Sequence, residues 1–364
     1  MQTINKLRGA YPFSWRLIVV VFWTIVALGF TFTQSAANNN NIANGAAIAI
    51  VVVGLSWLTG WSGQISVGNS GFMAFGGYTV AVWSTHHNHS NIFLVLLMAT
   101  VIGALSGLVL GIPATRLRGP YLAGMTIAFA VAVPGIASQF GSWTGGPSGN
   151  LFLNPLVAPT WFANLFSGPT AYQDAQNQWG ADIAICIAGL VLLLMANLFR
   201  SRTGRAMRMI RDNDVAAELA GVNLTLNRTL AFVIAAGLGG LAGGLQVLLA
   251  SSITPYSFNL AVSIEVLTLM VLGGMGTLSG AVIAGVIYAY SGTLVTWIRS
   301  GLGISATSSW GLNLQGILYP LLLIVTMLIA PVGIAGGFSK LWRLAKLKLA
   351  SRRKVLPSGD IAST

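Results

Sequence analysis

Charged side chains are scarce in this 364-residue chain: 7% of residues are Asp, Glu, Lys or Arg, against 55% hydrophobic. A chain of this size with so few charges cannot cover a soluble globule, so its solvent must be lipid. Acid is scarcer still, seven residues against 19 Lys plus Arg, for a formal charge of +12. Such a surplus also suits a nucleic-acid binder, and placement decides between the two. The basic residues stand in short blocks beside apolar runs, which favours a membrane protein. One cysteine, Cys186, excludes an internal disulfide and a thiolate metal site and leaves the redox compartment unread. The dipeptide Gly-Lys does not occur, which excludes a phosphate-binding P-loop, so energy for any transport has to come from another polypeptide or an ion gradient. No Ser-His-Asp or paired-carboxylate spacing argues for catalysis. His86, His87 and His89 cluster, but with no Asp, Glu or Cys close in sequence they read as a plain polar loop, and no cofactor or metal is expected.

What is abundant is apolar sequence in runs near the roughly 20 residues that cross a bilayer. Ten candidate spans cover 17–32, 42–58, 71–84, 92–112, 121–140, 181–199, 229–251, 262–274, 280–297 and 315–330. With the N-terminus inside, 18 of the 19 basic residues fall on the cytoplasmic side and Arg299 alone lies outside. An odd span number would expose one terminal basic cluster. The expectation is an all-α integral membrane protein of about ten helices, some broken at Gly-rich segments. It has a cytoplasmic N-terminal segment 1–16, a membrane domain 17–338 and a basic cytoplasmic tail 339–364. The first span has a basic start and Ser35-Ala36-Ala37 after it, as a signal peptide does, but its apolar stretch is long for one, so it reads as a retained anchor. The segment 141–180, with Pro147, Pro155, Pro159 and Pro169, reads as an irregular external loop.

Between two apolar runs lies one polar, basic island, 200–228, with five arginines from Arg200 to Arg211. Its second half, with Asp214, Ala216, Ala217, Glu218 and Gly221, predicts a short amphipathic helix stopped by glycine and able to dock a partner. Glycines elsewhere fall into two kinds. Gly103, Gly107 and Gly111, and Gly239, Gly240, Gly243 and Gly244, make smooth strips for helix packing in lipid. LTGWSGQISVGNSGFMAFGGY combines glycine with Gln64, Ser66, Asn69 and Ser70, and LGGMGTLSG, with Gly273, Gly274 and Gly276, interrupts a second run. Irregular backbone at membrane depth is tolerated where it is buried or lines a cavity, and two such breaks suit a transporter with a central pathway. Glu265 is singled out as the acid inside a span; a carboxylate there costs on the order of 3 kcal/mol, and it reads equally as a functional group facing the protein interior or as a structural carboxylate satisfied by hydroxyls or waters.

The stretches TGWSGQISVG, TGGPSG, RTGRAMRMIRDNDVAAELAGVN and SIEVLTLMVLGGMGTLSGAVIAG, in this order, resemble the M-type inner-membrane permease subunits of branched-chain amino acid ABC transporters. The resemblance implies a non-enzymatic permease in a bacterial inner membrane. It would pair with a second, homologous permease, two cytoplasmic ATPases and an external solute-binding protein. It also implies that the Asp214–Gly221 region is the coupling helix seated on an ATPase, and Arg211 is counted with it; the two breaks and the acid in a span assign Gln64, Ser66, Asn69, Glu265, Gly273, Gly274 and Gly276 to the translocation pathway. One departure is uncharged Val131, where family members often carry an acid, so urea or a short amide is an alternative cargo. An ion-coupled secondary transporter would explain the broken helices and Glu265 but has no need of a basic docking island.

Overall fold

The computed structural model describes residues 12–87, 91–117, 119–152, 156–166 and 171–301, with 320–321, 324–325, 328 and 333–337. Most of the expected span 315–330, most of the segment 1–16, the tail 339–364 and His89 lie outside the described residues.

Nine of the ten expected runs coincide with helices. These are α1 (Pro12–Thr31), α2 (Ala36–Leu55, continued by a π-helical turn, Ser56–Trp61), α3 (Asn69–His86), α4 (Ile92–Ala114), α5 (Pro120–Gln139) and α6 (Ala171–Leu198). After the island's α7 (Arg202–Asp212) and α8 (Asp214–Leu219) come α9 (Leu224–Ala250), α10 (Leu260–Gly273) and α11 (Leu278–Gly301). Seven helices are long and apolar enough to span a bilayer: those of α2, α4, α5, α6, α9, α10 and α11. The count of ten is thus not reached among the described residues. α3 carries too much Gly, Ser, Thr and His for its length, and α1 adds a described apolar stretch, Leu17–Thr31, to the seven.

Helix starts are set by side-chain caps that satisfy otherwise orphaned amides. Asn91, Asn213, Asn223 and Asn259 each accept a first-turn N–H, at 2.9–3.3 Å. The centre of the molecule is α9, packed against α4, α3 and α2, while α2 in turn is enclosed by α6 and α11. The glycine strips make this approach possible. A Cβ at Gly103 would stand 2.7 Å from the Ala236 carbonyl oxygen, and one at Gly240 would stand 2.5 Å from that of Ala99. Both strips are therefore packing surfaces of continuous helices.

The proline-rich segment is more ordered than its composition suggests. Asn150–Leu151 pairs antiparallel with Ser252–Ile253, tying it to the turn after α9, and α6 already begins at Ala171. The packing of Gly111 against Thr229 and Phe232 sets the end of α4, with Arg116, on the same side as the island, whereas α11 carries Arg299 to the opposite side.

Candidate functional site

At the end of α2 the chain leaves α-helical geometry through the π turn Ser56–Trp61, a feature that often marks functional positions. Residues 62–68 then run without helical structure back into the protein, and α3 starts at Asn69. The inner end is fixed by Ser70, whose N–H donates to Ser263 Oγ of α10 at 2.9 Å, and by Val67, whose N–H donates to Thr126 Oγ1 of α5 at 3.0 Å. The second break, between α10 and α11, meets the first. Trp61 Nε1 donates to the Gly276 carbonyl at 2.9 Å, and a Cβ at Gly60 would stand 2.6 Å from Gly276 Cα. Gly276 has φ +74°, a conformation that a Cβ would strain.

The island closes over this junction. Ser201 caps α7, whose Gly204, Met207 and Ile210 are buried. Beside them, the Arg211 guanidinium reaches the Gly60 carbonyl and the Arg208 guanidinium lies over the Trp61 ring at 3.9 Å. Phe199, just beyond α6, stacks on the same indole at 4.3 Å. The expected amphipathic helix is α8. Ala217 points inward and is fully buried, Val215 and Leu219 point outward, Leu219 at 85% exposure, and Ala216 and Glu218 are exposed. Gly221, at φ +82°, ends it, with Val222 N–H bonded back to Ala217 O at 3.0 Å and Gly221 N–H to Glu218 O at 2.9 Å. Asp214 pairs with Arg228 of α9, which ties α8 to the central helix.

Gln64, Ser66 and Asn69 are buried inside the protomer, whereas Ile65, between them, is 50% exposed. Buried and exposed side chains alternate from Gln64 to Ser66, and the polar ones point inward. Gln64 Nε2 donates to Ser62 Oγ at 3.0 Å and Ser66 Oγ accepts from Gly68 N–H at 3.4 Å, while the Asn69 amide has no hydrogen-bond partner among the described residues. Gly273 and Gly274 form the end of α10, where Gly333 packs on Gly274. Glu265 is half-buried in the second turn of α10, within electrostatic reach of Tyr288 on α11. It is not the sole acid in a span. Asp182 of α6 accepts a hydrogen bond from the buried Thr31 of α1 at 2.8 Å; the signal for it was its place in the apolar run 181–199. His86 bonds back to Val82 O at 2.8 Å and His87 stacks on Trp83.

Fold and site together define a multi-pass, all-α membrane protein built around two touching backbone breaks that a basic surface element holds from one side. The chain belongs to the family of branched-chain amino acid transport system permease components, whose model matches residues 40–329. It is 31% identical over 287 residues to the high-affinity branched-chain amino acid transport system permease protein LivM of Salmonella typhimurium, covering 74% of this chain and 66% of that one. Against LivM of Escherichia coli it is 29% identical, with 76% and 68% covered. The autoinducer 2 import system permease protein LsrC of Enterobacter sp. is 26% identical, with 77% and 75% covered. The chain thus spans about two thirds of the length of the LivM proteins it matches. No solved structure matches it significantly.

Proposed function

We propose that this chain is the membrane-embedded permease subunit of an ABC importer for branched-chain or related small amino acids. Separate ATPases, docking on α8, would energise it. The observation that carries the reading is α8 itself: two exposed aliphatic side chains, Val215 and Leu219, on a helix capped at both ends and pinned through Asp214 to α9. An exposed pair of that kind on a rigid mount is a docking feature, since its surroundings are basic and polar and it lies beyond the apolar helices. The partners are two cytoplasmic ATPases, a second homologous permease forming a heterodimer and an external solute-binding protein. The topology is ten spans with both termini cytoplasmic in a bacterial inner membrane, and it follows from the charge partition. The translocation pathway runs beside residues 62–68 and Glu265, and Gly273, Gly274 and Gly276 allow its backbone to bend.

The test is co-purification with the ATPases. Leu219→Glu should abolish association and uptake while leaving the permease folded, because Leu219 makes no core contact that a charge would break. Ala217→Glu is a poorer probe, since burial of that side chain makes it unseat α8 itself. Normal association of Leu219→Glu would remove the docking role. For topology, single cysteines in a Cys186→Ser background should react with an impermeant external reagent at Ser148 and stay unreactive at Ser201. Uptake in competition with leucine, urea and acetamide decides the cargo.

A further inference from the structure

Arg211 was expected at the ATPase contact, yet its guanidinium turns inward to the Gly60 carbonyl. We propose that Arg211 and Trp61 are transmission residues that lock the island to both backbone breaks, so that a displacement of α7 and α8 moves the two breaks together. The inference rests on the reading of α8 as the docking helix.

The connections form one closed set. Gly60 belongs to the π turn, whose last carbonyls lack the regular i to i+4 partner, so a guanidinium can take one of them. The stem of Arg211 runs along Gly63, where a Cβ would stand 3.3 Å from Arg211 Cγ. One turn earlier, Arg208 covers the Trp61 ring, and Phe199 at the end of α6 stacks on that ring as well. From the edge of the same indole, Nε1 reaches the Gly276 carbonyl in the turn joining α10 to α11. Gly60 and Gly276 have backbone against backbone, with no side chain between them to absorb a relative shift. A sub-ångström movement of α7 therefore has two stiff outlets and no compressible one, because close-packed interiors transmit displacement. The first outlet is residues 62–68, whose far end is fastened to α5 and α10 through Thr126 and Ser263. The second is the start of α11. Docking by α8 and transmission by the Arg211–Trp61 joint are thus separate functions on adjacent residues, and single substitutions should separate them.

The experiment uses the full transporter in vesicles, with its ATPases and binding protein, and follows whichever of leucine, urea or acetamide the wild type carries. Trp61→Phe keeps the stacking and deletes the bond to Gly276; Arg211→Ala deletes the bond to Gly60. Both should retain ATPase association and hydrolyse ATP within about twofold of wild type while uptake falls at least about tenfold, the signature of uncoupling. Normal uptake by either variant, or hydrolysis falling in step with uptake, overturns the proposal. A wild-type complex that shows no ATP-driven uptake would instead sink the docking reading. A second measurement needs no partner: spin labels on Leu219→Cys and Met275→Cys, in the Cys186→Ser background. The permease with Trp61 should give one narrow distance, and Trp61→Phe should give a distribution at least about twice as broad; equal widths overturn the joint.

Discussion

Two glycine-rich regions of this molecule use the same residue for opposite ends. Along α4 and α9, Gly103, Gly107, Gly111 and Gly240 sit in unbroken helices and let carbonyls of a neighbouring helix come close. At Gly60 and Gly276 the glycines lie where helices stop, and two irregular backbones touch. The first region lies within continuous helices, whose backbone groups pair along the helix, so it tolerates lipid and is stiff. The second has carbonyls left over, which Arg211 and Trp61 take up from elsewhere in the chain. Packing glycines should therefore govern whether the protein exists, and break glycines what it does.

The largest effect should come from Gly240→Leu. Its side chain has nowhere to go between Ala99 and Gly103 on one side and Gly76 on the other, so overpacking of roughly 3 kcal/mol or more is expected. The variant should be lost from the monodisperse peak in size-exclusion chromatography, and a normal yield would break the comparison. Gly60→Ala comes next. The added methyl pushes on the backbone of Gly276, which is only partly buried and follows the exposed Met275, so the protein should fold and melt within a few degrees of wild type while uptake falls at least about tenfold. Equal losses of folding and uptake would make the two regions the same kind of place. Gly276→Ala has room for its methyl, 3.5 Å from the nearest atom, and suffers only the left-handed backbone, about 1–2 kcal/mol. It should be the milder of the two break variants when uptake rates are compared.

Smaller effects sharpen the contrast away from glycine. Glu265→Gln should lower the uptake rate without reordering competition by leucine, urea and acetamide; Glu265→Leu should be worse, by roughly 1–3 kcal/mol for any buried donor left without its acceptor. A changed order of competitors would make Glu265 a selectivity residue. Smallest of all, Asp214→Asn removes the charge that meets Arg228 in a half-buried pair and should cost about 1 kcal/mol in thermal stability, with ATPase association weakened but not lost. Complete loss of association would mean that α8 depends on this pair far more than a single ion pair suggests.

Much of the fold is legible in the sequence because its determinants are local. Lipid demands long apolar helices, positive charge marks one side, and glycine at four-residue spacing lies on one helical face; each signal sits within a single run of residues. The same holds for α8, whose start at Asn213 and stop at Gly221 are cap chemistry spelled out along a few residues. The span count was harder to read, since α3 mixes polar and apolar residues at one helical length. Tertiary structure alone decided the rest. Whether Gln64 or Ile65 faces inward depends on which helix lies beside residues 62–68 and not on their polarity. The bonds from Thr31 to Asp182 and from Arg211 to Gly60 each join residues 151 positions apart. No periodicity relates such residues, and they meet only because the intervening helices pack in one arrangement.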